Sequence, residues 1–226
     1  MSRLALSLTI FATLLFSCRG HQPPPVEIPP PPPALPQWVV LSKGAVDLSD
    51  QVEERSISTK DQLGADRCTF AALQIGKDAW LHSSRVADSL TVGGDARFYG
   101  SRVSGAVNVQ GGIHSHHSNF SAAVECGADI TAVDTVFDDL LQAKAEIIDL
   151  TNVKAKSIFV KATGPYYDKQ LVYIKGNTVI EGDVIFESER GRVIYDINSQ
   201  VLGSIRGGHA IPSYECDRII LESNWK

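Results

Sequence analysis

The feature that most constrains this chain is a repeat of seventeen residues. Steps of seventeen from Leu73 reach Leu90, Val107, Val124, Leu141 and Ile158. Two positions on, the same steps read Ile75, Val92, Val109, Cys126, Ala143 and Val160. All twelve are apolar in a chain that is 43% apolar, which a preset register reaches by chance about once in 25,000 trials. A third column runs Ala79, Ala96, Ile113, Ile130, Ile147. A fourth runs Val86, Val103, Phe120, Phe137 and slips by one at Val153. Ser84, Ser101, Ser118, Thr135 and Asn152 form a small polar column, and Gly94, Gly111, Ala128, Ala145 and Ala162 a small-residue column.

Apolar residues two apart share one face of a strand. Three short apolar groups per repeat, parted by small or polar corners, describe a three-sided coil. Seventeen residues cannot hold two packed helices and a turn. The repeat therefore predicts an all-β fold: a single-stranded parallel β-helix (β-solenoid) with coils of about 17 residues and three short strands per coil. Coils stacked about 4.8 Å apart bury their inner side chains against their neighbours, so no coil is stable alone.

After Ile158 the repeat is interrupted, and residues 163–169 read as an inserted loop. Short strands with glycine corners resume over 174–186 and 193–208. Gly182 and Gly203 match at twenty-one residues, as if residues 187–191 added a small bulge. In these stretches the chain resembles the coils of bactofilins, bacterial cytoskeletal proteins with a right-handed parallel β-helix. The likeness implies a shared architecture over roughly 73–208, with the wording shared over a much shorter stretch.

The N-terminus carries a different signal. A short basic n-region, the apolar run 4–16, then Ser17 and Cys18 have the layout of a secretory leader. The apolar run falls short of the roughly 20 residues of a comfortable bilayer crossing. Leu15-Phe16-Ser17-Cys18 resembles the lipobox of bacterial lipoproteins, with Leu at −3 and Ser at −1. That resemblance implies cleavage before Cys18 and acyl chains on its thiol and freed amine, palmitate being a typical one. Several chains anchor stably where one is marginal. Arg19 is not the Asp that favours inner-membrane retention in such proteins, so the resemblance implies an outer-membrane, periplasm-facing anchor.

Residues 19–37 hold nine of the eleven prolines. Such a run favours extended polyproline II and reaches roughly 60 Å. It reads as a spacer, with a ligand for a proline-recognition groove as the sharper alternative. The expected layout is a signal peptide at 1–17, a lipidated Cys and Pro-rich linker at 18–37, an N-terminal cap at 38–72, the β-solenoid at 73–208 and a C-terminal cap at 209–226. Capping is expected because open solenoid ends expose backbone edges.

Candidate chemistry is sparse. Cys126 falls in an inward column and reads as a small buried residue. Cys68 and Cys216 lie outside the columns and could pair as a disulfide in an oxidising periplasm. His114, His116 and His117 suggest a metal site, but His116 shares its column with His82, Tyr99, Val133 and Leu150, two coils from His82. An exposed turn is the plainer reading, and no metal site is assigned. Asp78, Asp95, Asp129 and Glu146 share a corner column, with Gly112 as a gap. Calcium could bridge them, yet an Asp accepting turn hydrogen bonds is the commoner use. Arg97, His114 and Thr131 share an outward column, and Asp134, Asp138 and Asp139 are close enough in sequence to suggest paired acids.

No catalytic set emerges, so no enzyme activity and no cofactor are expected. A formal charge of −5 with scattered cations argues against nucleic-acid binding. The expected function is a non-enzymatic, lipid-anchored envelope scaffold or subunit of a membrane assembly, such as a secretion-system component or a polymer. Its expected partners are the membrane, through Cys18, and proteins or further copies of itself. The alternative is a carbohydrate-binding or carbohydrate-cleaving solenoid, which a groove of aromatics and acids on one sheet would favour.

Overall fold

The computed structural model describes residues 38–41, 44–53, 55–164 and 170–214. These form a parallel β-solenoid of about ten coils with three strands per coil. The first face holds Trp38–Leu41, Ser56–Thr59, Leu73–Ile75, Leu90–Val92, Val107–Val109 and Val124–Cys126. The second begins at Val46–Ser49 and ends at Gly208–Pro212, a ten-stranded sheet by itself. The third holds two-residue strands such as Arg85–Val86 and Arg102–Val103. Val136–Ala143 and Lys154–Val160 run round the corner between third and first faces, which joins those faces into a seventeen-stranded sheet.

Every ladder is parallel, and the first two apolar columns stack as spaced: Leu73 on Leu90, then Val107, Val124, Leu141 and Ile158. The inward residues form one continuous core, from Ile57 to Val193, with Cys126 1% exposed. Burial of the Cys126 thiol pushes its pKa up to about 11. The rings of Phe98, Phe120 and Phe137 follow one another inside, each 5.0 Å from the next.

Three expectations change. Residues 38–72 are not a separate cap: their strands lie in register with the later coils, Ile57 on Leu73 and Leu63 on Ala79. The solenoid also continues past 208, since Gly208–Pro212 pairs with Gly191–Tyr195. The third column passes from Ile130 to Ile148, not Ile147, which is 41% exposed. One extra residue enters the corner after Ala143, so Thr151 rather than Leu150 follows Val133. The loop after Thr163 lies mostly outside the described residues, but its consequence is visible: Thr151 pairs with Lys175, twenty-four residues on.

Two devices hold the corners. In eight successive coils the residue after the second-face strand is left-handed: Asp50, Arg67, Ser83, Gly100, His117, Asp134, Asn152 and Gly176, with φ from 48° to 63°. Beside it runs a buried hydroxyl ladder. The Cys68 N–H donates to Ser84 Oγ, Ser84 N–H to Ser101 Oγ, and Ser101 N–H to Ser118 Oγ. Each hydroxyl serves the preceding coil's amide and so satisfies a buried donor. Because of the inserted residue the ladder meets Val153, not Asn152, before resuming at Thr178, which accepts from Val153 N–H at 3.1 Å.

Candidate functional site

The outward side of the second face carries the chemistry. Strand alternation sends Trp80, Arg97 and His114 outward in one column, and His82, Tyr99 and His116 in the next. Trp80 is 48% and Tyr99 49% exposed. Trp80 and His82 lie 5.8 Å apart with planes within 6°. His82 to Tyr99 is 5.4 Å, and Tyr99 to His116 is 6.0 Å. A row of four rings therefore crosses three coils. Asp66 holds His82 through Nδ1 at 2.5 Å.

At the N-terminal end of this row the column neighbour of Trp80 is Gly64. Glycine adds no side chain there, and the Asp47 carboxylate lies over the place one would take. A β-carbon at 64 would collide with the Asp47 carboxylate. The space forms an open cleft of about 290 Å³, bounded by Asp47, Gln62, Asp78, Trp80, Asp95 and Arg97. Arg97 has no carboxylate partner among the described residues.

The acid column has a structural use. Asp78 Oδ1 accepts from Asp95 N–H, and Asp95 Oδ1 accepts from Gly112 N–H. Asp129 accepts from both Glu146 N–H and Ile147 N–H at 2.9 Å, which is where the extra residue enters. These acids bond the next coil's turn rather than their own. Asp78 and Asp95 also line the cleft.

The histidines separate. His114 follows Arg97, His116 follows Tyr99, and His117 takes the left-handed corner with Nδ1 3.5 Å from Asp134. Among the described residues, no three His, Cys, Asp or Glu side chains are placed to hold a metal ion. Asp134, Asp138 and Asp139 do not act together: they bond Asn152, Asn119 and the Leu140 amide respectively. Cys68 is a buried free thiol that donates to Asp66 O at 3.3 Å. Cys216 and Cys18 lie outside the described residues.

The sequence reading missed the cleft for a specific reason. The coil from Leu63 to Ala79 has sixteen residues, so seventeen-residue steps lead back from Trp80 to buried Leu63. The available signal was a tryptophan at an outward strand position. The fold defines the class as a parallel β-solenoid. Comparison with family models, curated proteins and solved structures finds no match.

Proposed function

We propose that this is a lipid-anchored bacterial envelope protein whose solenoid acts as a rigid, non-enzymatic scaffold or assembly subunit. The observation that carries the reading is the order of parts. A lipobox-like cysteine is followed by a proline-rich spacer, and regular coils begin directly after it, at Trp38. Ten coils at about 4.8 Å make a stack of roughly 45 Å. Among the described residues no helix is long and apolar enough to cross a membrane. The bactofilin-like wording of the later coils fits a cytoskeletal or scaffolding task.

Both ends carry exposed apolar residues, which supports association through them. Trp38, Val40 and Val52 are exposed in the first coil, and Ile197 and Leu202 in the last ones. Open solenoid edges invite pairing with a further chain. Metabolic labelling of the full chain with radioactive palmitate, beside a Cys18→Ser variant, tests the anchor. The reading requires a labelled membrane-bound protein and an unlabelled variant; an unlabelled wild type overturns it. Affinity co-purification from detergent and negative-stain imaging test the assembly role. Monomers without any co-purifying protein at high concentration would contradict it.

A further inference from the structure

The cleft beside Trp80 has no task in the coil architecture. Trp80 adds nothing to the inward core, and Arg97 neutralises no carboxylate among the described residues. We propose that this cleft binds a saccharide, with one sugar ring seated against the exposed indole of Trp80. This inference does not rest on the anchoring proposal and holds whether or not Cys18 is lipidated.

The wall chemistry selects the ligand class. An indole face accepts the apolar C–H side of a sugar ring, because aromatic faces carry partial negative charge. Asp47, Asp78 and Asp95 supply acceptors for hydroxyl donors, while Arg97 and Gln62 supply donors for hydroxyl and ring oxygens. The three carboxylates repel phosphate and other anions. Arg97 is the next residue after Trp80 in the column and lines the same space, so it disfavours an ammonium ion on the indole. A purely apolar ligand would strip water from four charged groups without replacing their hydrogen bonds. A neutral, polyhydroxylated ring with an apolar face satisfies every wall. At about 290 Å³ the cleft matches the lower end of small-molecule sites, which suits one ring of a longer glycan.

Gly64 makes the site possible. Any larger residue there displaces Asp47 and occupies the flank of Trp80. Two variants therefore weaken binding by different routes: Trp80→Ala deletes the stacking face, and Gly64→Ala pushes the Asp47 carboxylate out of its place in the wall while keeping the indole. Trp80 is exposed, so its removal leaves the core intact.

The test is titration calorimetry of the full chain in a zwitterionic, sugar-free detergent. The probes are cellotetraose, chitotetraose, maltotetraose and mannotetraose, with choline chloride as the cationic competitor. The proposal predicts saturable binding of at least one tetrasaccharide, weakened about tenfold or more in Trp80→Ala and in Gly64→Ala. Trp38→Ala, on the first face, should leave it unchanged, and circular dichroism should show all variants folded. Absence of saturable binding to all four sugars overturns the proposal. So does sugar binding that survives Trp80→Ala, or binding of choline in place of the sugars.

Discussion

The coils up to Ala143 and those after it are built on the same plan with different spacing. In the first region a coil takes sixteen to eighteen residues, most often seventeen, as in Leu73 to Leu90 to Val107. In the second, Ile130 pairs with Ile148, Thr151 with Lys175, and Val184 with Ile205. The inward columns nevertheless run unbroken from one region into the other. Extra residues enter at corners, and the ladder of Val136–Ala143 with Lys154–Val160 absorbs a register shift between Phe137 and Leu140. What the fold conserves is strand register, and a constant period is only its simplest expression.

The largest expected effects test whether the irregular coils are packed as tightly as the regular ones. Phe120→Ala removes the middle ring of the internal stack and should destabilise by about 3–5 kcal/mol. Ile180, three coils on in the same column and fully buried, should cost about 2–5 kcal/mol when changed to Ala. Denaturant titration of both variants makes the comparison. A loss well under 1 kcal/mol at Ile180 would show the later coils to be loosely packed.

The left-handed corner gives a smaller contrast. Gly100 has φ +60 and nothing nearer to a new β-carbon than Ser83 Oγ at 3.6 Å. Gly100→Ala therefore isolates the backbone term, about 1–2 kcal/mol. Gly176 has φ +63, but a β-carbon there also collides with the Asn152 carboxamide. Gly176→Ala should cost more, since the Asn152 bond to the Asn177 amide must shift as well. Equal losses in thermal melts would show that the irregular corner relaxes freely.

The smallest effect concerns Cys126. Its folded pKa is raised to about 11 by burial, above the ordinary thiol value of 9.0. Both states keep the proton at lower pH, so the thiol then has no influence on stability. Between those two values the unfolded chain ionises while the folded chain does not, so stability falls as pH rises. At neutral pH, iodoacetamide should leave Cys126 unmodified in the native protein and alkylate it in urea, as read by mass spectrometry.

These contrasts also explain what was legible in the sequence. The strand columns were readable because each holds one residue type at one spacing, and the period survives wherever corners have fixed length. The insertion after Ala143 was not legible: the fourth column passes from Phe137 to Ala155 rather than slipping to Val153, and in the third column Ile147 and Ile148 are both isoleucine. The first coils were mistaken for a cap since Ile57 to Leu73 is one residue short. The left-handed corners escaped notice because Asp, Arg, Ser, Gly, His and Asn all occupy them. The aromatic row was partly visible as the column His82, Tyr99, His116. Its cleft was not, because Gly64 contributes through the side chain it lacks.

The central structural claim is that one register runs through both regions. Hydrogen exchange of the full chain, resolved by residue, tests it most directly. Lys154, Ile158 and Val179 amides bond across coils in the irregular region at 3.1, 2.9 and 2.8 Å, as Leu90 and Val107 do in the regular one at 2.9 and 3.0 Å. A continuous solenoid predicts comparable protection for both sets, with fast exchange confined to corners and ends. Protection that collapses beyond Ala143 while Leu90 and Val107 stay protected would contradict it.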